Sequence, residues 1–470
     1  MSKTKKNIFI IICFVMCMIP SVCMLFAGSE ETIGNEKTVP APSLTNDDGS
    51  LNTNILSDAG NYFEHHYAFR PQLITADAKV QSGIFNVSNT DTVVTGTDGW
   101  LYYSSTLNDY LGADTLTEHG MWNLAHNISL LQNYAEEQGA KFLFSVPPNK
   151  NSLYGENMPY YYGIAVSDEH NRDSLSDALE KQGVRYSDLF GLFESGTETL
   201  YLKEDSHWNN RGAALASDAL LSAVGKNHDS FFESPASRTK SHDGDLRAMI
   251  YPAEKQPEYD YTYETGQSYE YIANARTLGE EVSAEDFLVL SENPDASGRL
   301  LMYRDSFANT LIPFLSGEFS FCAYSKAVPG NMAADIKEYR PDYVMIEKAE
   351  RNIRDFVTAP CLIPAPEAEI TEIQDNMREV VPLSFASEPC LADTSYIAVS
   401  GTLRDEDAGT GTRIFLEVET EGGRRLYEAF NTLADGNNNG FLLYLDRSLP
   451  ADPEDGYLEQ QEVKLYASNG

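Results

Sequence analysis

Leu300-Leu301-Met302-Tyr303-Arg304-Asp305-Ser306-Phe307-Ala308-Asn309 is the stretch from which the fold can be read. Four apolar residues form a buried-strand run, an Asp-Ser pair breaks it, and a helix is expected after Phe307. The same alternation continues outward. Downstream come an expected strand at Glu318–Ala323, a helix near Ala333–Tyr339 and a strand at Tyr343–Ile346. Upstream, Met121 to Glu137 carries apolar residues at helical spacing and leads into the strand-like run Lys141–Val146. A helix around Asp173–Lys181 precedes Val184–Tyr186, and Asn209 to Val224 is Ala/Leu-rich and helical. Strands alternating with helices predict an α/β fold, a mainly parallel sheet with helices on both faces.

The pattern changes after Pro360. Ile397/Val399, Ile414/Leu416/Val418, Phe441/Leu443/Leu445 and Val463/Leu465 alternate with period two between Gly, Asp and Asn turns. That rhythm predicts a C-terminal antiparallel β-sandwich over 360–470. Pro360, Pro364 and Pro366 mark the boundary. Toward the other end, residues 29–61 are expected to form an extracytoplasmic stalk, polar and rich in Ser, Thr, Asn, Gly and Pro from Ser29 to about Asn54. Before it, Lys3, Lys5 and Lys6 precede an apolar run from Ile8 to about Ala27, which fits an uncleaved signal anchor over 1–28 with the rest of the chain outside the cytoplasm. Cleavage near Ala27 would instead release a secreted protein.

The chain has 34 basic and 71 acidic residues, a formal charge of −37. Such a field repels nucleic acid and anionic lipid, so a polyphosphate ligand is not expected. Cys13, Cys17 and Cys23 fall in the apolar segment, and Cys322 sits in a strand-like run. Cys361 and Cys390 are free to pair or to remain buried thiols. No CxxC or Cys/His cluster is present, and no metal or cofactor is called for.

Two segments carry chemistry. Glu204-Asp205-Ser206-His207-Trp208-Asn209 stands just before a helix. In extended backbone, residues i and i+2 share a face, so Asp205 can hold His207 Nδ1 and leave Nε2 as a base. Trp208 would shield the pair, and Asn209 or Asn210 would cap the helix. Ser306, at the strand-to-helix junction, would lie at the carboxyl edge of the sheet, where open α/β folds place their sites. Its hydroxyl needs a base to become a nucleophile, and N–H groups at the helix start can hold an oxyanion. Each segment alone also reads as a helix cap, with the histidine on the surface. His65, His66, His119, His126, His170, His228 and His242 show no partner pattern and read as surface or satisfied core.

Seven segments together resemble a known group. They are Phe63-Glu64-His65-His66-Tyr67-Ala68-Phe69-Arg70, Gly96-Thr97-Asp98-Gly99-Trp100-Leu101-Tyr102, Val146-Pro147-Pro148-Asn149-Lys150 with Tyr154 and Pro159, Asp205-Ser206-His207-Trp208, Gly244-Asp245-Leu246, Arg304-Asp305-Ser306-Phe307, and Pro341-Asp342-Tyr343 with Glu347 and Arg351. In this order the sequence resembles the AlgJ/AlgX-type, DHHW-related branch of the SGNH hydrolase superfamily, over about Tyr62 to Arg351. The resemblance implies an SGNH-like, flavodoxin-like catalytic domain over 62–359, with Asp205, His207 and Ser306 as its triad. Two departures are clear: Arg304 replaces the Gly of the general SGNH block, and Ser206 replaces the middle His of the DHHW motif. Arg304 is expected in an ion pair at the strand end, Asn309 on a helix surface, and Lys150 in packing or capping.

The implied function is transfer of O-acetyl groups to a cell-surface or secreted polysaccharide, the acetyl arriving from a membrane-bound O-acyltransferase partner. The same triad with water as final acceptor would give a carbohydrate O-acetylesterase. A third reading is a non-catalytic glycan-binding scaffold built on the β-sandwich, where Tyr396, Tyr427 and Tyr444 are expected mainly to pack.

Overall fold

The computed structural model describes residues 3–24, 26, 39–46, 48–85, 87–264, 268–279, 281–327, 329–368, 377–434, 436–449, 458–459 and 463–469. Ala27 and the first ten residues of the expected stalk lie outside them. Lys3–Cys23 is a helix long and apolar enough to cross a membrane. Ile55–His66 and Arg70–Val80 are the helices that precede the α/β part.

The central sheet has seven strands. Its spatial order is Tyr186–Ser187, Lys141–Ser145, Tyr343–Glu347, Arg299–Tyr303, Phe321–Ser325, Leu288–Glu292 and Glu270–Ile272. The first five run parallel to one another. The last two are antiparallel additions at one edge, so the sheet is mixed. Strand residues alternate between faces, and two cores result. Leu143, Leu300, Met302, Tyr324 and Met345 pack with Ala213, Ala216 and Leu220 of helix Asn210–Ala223. Phe142, Phe144, Leu301, Tyr303 and Ile346 pack on the other face with Leu124, Ile128 and Leu131 of helix Glu118–Glu137. Helix Met332–Tyr339 joins this second core through Met332 and Ile336.

The C-terminal part consists of two antiparallel sheets. One orders Glu367–Ala368, Gly423–Glu428, Thr412–Thr420, Lys464–Asn469 and Met377–Val380; the other orders Ser384–Pro389, Tyr396–Thr402, Asn437–Asp446 and Phe430–Ala434. Ile397, Val399, Ile414, Leu416, Val418, Phe441, Leu443, Leu445 and Leu465 meet in a single core between them. Tyr427 packs into that core, and Tyr444 sends its hydroxyl to the Pro360 carbonyl at 3.1 Å. Cys361 and Cys390 are separate buried free thiols.

A polar seam joins this part to helix Glu118–Glu137. Asn127 Nδ2 donates to the carbonyls of Phe356 and Asn431, both at 2.8 Å, and Asn127 Oδ1 accepts from Asn431 N–H at 2.9 Å. His126 Nε2 lies 2.9 Å from Glu428 Oε1, and Arg413 holds both Glu428 oxygens at 2.6 Å. These ion pairs hold the Glu428 carboxyl down at about 2 against the cost of its burial.

Candidate active site

The strand Arg299–Tyr303 delivers Arg304, Asp305 and Ser306 to the carboxyl edge of the sheet. Asp305 caps the turn that follows: its Oδ1 accepts from Phe307 N–H at 3.0 Å, and its Oδ2 from Ala349 N–H at 2.8 Å. The element after it is a 3-10 turn, Ser306–Thr310, and then a five-residue helix, Ile312–Ser316. No long helix dipole therefore stands behind the serine. Pro313, in the first turn of the short helix, suits a start there and not a continuous helix from Phe307. With Phe307 N–H already bonded to Asp305, Ser306 N–H is left without an acceptor among the described residues.

The loop before helix Asn210–Ala223 brings the second segment to the serine. His207 Nε2 lies 2.8 Å from Ser306 Oγ, and His207 Nδ1 lies 2.8 Å from Asp205 Oδ1. Asp205 Oδ1 also accepts the backbone N–H of His207 at 2.9 Å. The three side chains singled out in the sequence thus converge across about a hundred positions. Trp208 is fully buried, donating from Nε1 to Thr310 Oγ1 at 2.7 Å and to the Phe307 carbonyl at 3.1 Å. It ties the two segments together. Asn209 caps the helix by accepting from Gly212 N–H.

Burial works against charge on both Asp205 and His207, and their mutual contact overrides it. The Asp205 carboxyl is held well below the usual carboxylate range by hydrogen bonds from His207 and His242. The His207 pKa is raised by its hydrogen bond to Asp205 and by the charges of Asp205 and Asp245. The arrangement gives a basic imidazole with one nitrogen fixed and the other aimed at a hydroxyl, the requirement for general-base activation of a serine. Ser306, His207 and Asp205 line a cleft of about 430 Å³ together with Tyr103, Asn309 and Arg351. The Arg351 guanidinium lies over the rings of Phe307 and Tyr103, at 5.6 and 5.7 Å. Asp205, His207 and Asp245 also place possible metal-ligand atoms within 4.8 Å of one another. Their contacts with each other, and those of Asp245 with Ser206, already use those atoms, so the group reads as a hydrogen-bond network.

Comparison with known proteins returns the same group as the sequence. Residues 93–294 match the family model described as an SGNH hydrolase-like domain of the acetyltransferase AlgX. These matches show an AlgJ/AlgX-type resemblance. The matched segment contains Asp205 and His207 and ends before Ser306. A probable alginate O-acetylase AlgJ from Pseudomonas fluorescens is 24% identical over 169 residues, which is 34% of this chain and 41% of that protein. The match thus spans about two-fifths of the relative's length. Among solved structures, PatB1 of Bacillus cereus is 18% identical with a TM-score of 0.45, covering 57% of this chain and 96% of that one. A DHHW family protein from Eubacterium siraeum is 17% identical with a TM-score of 0.42, covering 56% and 93%.

The site holds features that the sequence alone did not reveal. His242 is not a surface or core histidine: its Nε2 lies 2.8 Å from Asp205 Oδ2. Asp245 accepts from Ser206 Oγ at 2.6 Å and Ser206 N–H at 2.7 Å, so the serine in place of the DHHW histidine is anchored from below. Gly244 next to it touches the other segment so closely that a Cβ would meet the Glu204 carbonyl oxygen at 2.3 Å. That close approach is the one sequence clue, since Gly244-Asp245-Leu246 was among the shared motifs.

Arg304 makes no ion pair within 4.0 Å among the described residues. It is buried and donates to the carbonyls of Ala284 (2.8 Å) and Asp286 (3.0 Å) and to Asn309 Oδ1. Behind it lies Glu347, whose burial and proximity to Asp305 raise its pKa well above the ordinary value. Asn309 lines the cleft, bridging Arg304 and Glu285, and is not a free helix-surface residue. Lys150 is fully buried, and its Nζ donates to the carbonyls of Leu202, Lys203 and Asp205. It packs on the rings of Trp100 and Tyr102 and thereby holds the loop that carries Asp205 and His207.

Proposed function

We propose that this protein is an O-acetyltransferase that works outside the cytoplasm on a polysaccharide, through an acetyl-enzyme on Ser306. The carrying observation is the unbroken chain Ser306 Oγ, His207 Nε2, His207 Nδ1, Asp205 Oδ1, with 2.8 Å at each hydrogen-bonded step. The AlgX-type match and the alginate O-acetylase relatives support acetyl transfer and a glycan acceptor.

In this reading His207 takes the Ser306 proton as Oγ attacks the acetyl carbonyl carbon of the donor. The oxygen becomes an oxyanion, which Ser306 N–H is placed to stabilise. Collapse breaks the bond to the leaving group, which receives the proton from His207. A sugar hydroxyl then gives its proton to His207 and attacks the acetyl-serine, and the proton returns to Ser306 Oγ. Asp205 stabilises the imidazolium in both halves. Residues 62–359 would form the catalytic domain and 360–470 an accessory sandwich. Helix Lys3–Cys23 would anchor the chain beside a membrane-bound O-acyltransferase that supplies acetyl groups.

The test uses the full-length chain in detergent micelles with p-nitrophenyl acetate, with and without glycan. Mass spectrometry should find acetyl on the peptide carrying Ser306, and glycan should collect it. Release to water alone would assign an esterase. An absence of label, with Ser306→Ala behaving like the parent protein, would end the proposal.

A further inference from the structure

Asp205 carries more donors than a triad acid requires. Oδ1 takes the backbone N–H of His207 and faces its Nδ1; Oδ2 takes the backbone N–H of Asp245 at 3.0 Å and faces His242 Nε2 at 2.8 Å. A carboxylate has about four lone-pair sites, and two amides and two imidazoles fill them. We propose that His242 is a positioning residue on the catalytic carboxylate, and that by sharing its charge His242 sets the basicity of His207. The inference rests on the Ser306–His207–Asp205 reading above.

The backbone places His242 there by a specific device. The hairpin Ala236–His242 with Glu258–Tyr263 pairs Arg238 with Tyr261 and Lys240 with Tyr259, then slips register between Lys240 and His242. Without the slip, His242 would continue the face of Arg238 and Lys240, which line a different cleft of about 840 Å³. The bulge turns it instead into the cleft of Ser306 and His207. Re-aiming one side chain beside a site is a common use of a bulge.

The charge argument follows. One carboxylate can fully compensate one imidazolium, so two rings on Asp205 compete for it. While His242 holds a proton, less of the Asp205 charge acts on His207, and His207 stays unprotonated to lower pH. When His242 is neutral, that charge falls on His207 alone. Facing His242 are Asp205, Asp260 and Glu258 from the partner strand, and Asp243 and Asp245 of its own segment, with the Lys150 ammonium beneath the Asp205 carbonyl. Burial opposes charge on His242, but the bond to Asp205 and the acidic neighbours hold its pKa above the ordinary value.

The experiment measures kcat/KM for p-nitrophenyl acetate against pH in the full-length protein and in His242→Gln, which keeps an N–H donor but carries no charge. Loss of the neighbouring cation should raise the His207 pKa and move the acid limb up by roughly one pH unit. Superimposable profiles would overturn the inference. An NMR titration of the His207 ring gives a readout independent of turnover. In the parent protein it should show two inflections, the second at the His242 pKa; a single inflection unaffected by His242 would overturn the inference. If Ser306→Ala turns over like the parent, the acyl-enzyme reading fails, and the NMR result still decides the coupling.

Discussion

Asp205→Asn is the change whose consequences can be worked furthest from the geometry. The carboxylate accepts two donors on each oxygen, at 2.8 and 2.9 Å on Oδ1 and at 2.8 and 3.0 Å on Oδ2. An asparagine offers one accepting oxygen, and its NH₂ faces the other two donors. If the oxygen faces His242 and Asp245, the amide N–H meets His207 and forces its proton onto Nε2, the nitrogen that must receive one from Ser306. If the amide is flipped, His242 and the Asp245 amide lose their acceptor, and the carboxylate charge that stabilises the imidazolium is still gone. The expected loss in kcat/KM is about 10,000-fold, the size such a tautomer error has in serine-hydrolase triads. Two stranded donors, each costing about 1–3 kcal/mol, predict about 2–6 kcal/mol of lost stability, with a tautomer change at His242 favouring the lower end. The pH sign is fixed as well. The folded Asp205 pKa lies well below the ordinary aspartate value of 3.8, so its contribution is complete above the unfolded pKa and is lost as pH falls through the folded one. The stability gap between parent and variant should therefore narrow below pH 3.8. Ester hydrolysis rates and urea unfolding across pH check both claims. Activity within tenfold of the parent, with unchanged stability, would refute the reasoning.

Lys150→Met removes three hydrogen bonds from a buried ammonium to the loop carbonyls; a loss of about 2–4 kcal/mol in chemical unfolding is expected, with kcat/KM falling alongside. Gly244→Ala puts a Cβ 2.3 Å from the Glu204 carbonyl oxygen and 2.6 Å from its carbon. Backbone must move, so activity should fall by at least roughly a hundredfold if the loop shifts by an ångström, with circular dichroism little changed. Asn127→Ala breaks three buried bonds at the seam with the C-terminal sheets and should cost about 2–4 kcal/mol. Calorimetry should show the transition of the C-terminal sheets separating from the main one.

The fold was legible where one physical signal dominated. Buried strands such as Leu300–Tyr303 and Tyr343–Ile346 are continuous apolar runs, and helix Asn210–Ala223 is an Ala/Leu face after an Asn cap; each appears within two residues of its reading. Period-two alternation gave the inner faces of the C-terminal sheets. What failed depended on tertiary context. The antiparallel edge strands Leu288–Glu292 and Glu270–Ile272 follow no crossover helix, so nothing local distinguishes them from loop. Phe321–Ser325 was expected three residues early because Phe319 is as apolar as the strand it precedes. In the site, Asp205 and His207 were readable because they are two residues apart, and Ser306 because of its strand-to-turn junction. His242 was not, since its partner lies 37 positions away and a bulge decides which way it points.

The two halves of the site are held by different means, and the difference bears on how each tolerates change. The serine half follows directly on the central strand Arg299–Tyr303 and is braced by buried side chains: Arg304 is clamped to the carbonyls of Ala284 and Asp286, and Glu347 takes Asp305 N–H at 3.1 Å. The half with Asp205 and His207 is a loop between helices, held by side chains: Lys150 on its carbonyls, Asp245 on Ser206, and His242 on Asp205. Trp208 links the halves through Phe307 and Thr310. Because Ser306 follows directly on a central strand and His207 sits in a loop, the adjustable part of their 2.8 Å contact should lie on the imidazole side. Substitutions around Ser206, His242 and Asp245 should therefore tune the reaction in graded steps, whereas those around Arg304 should act through folding.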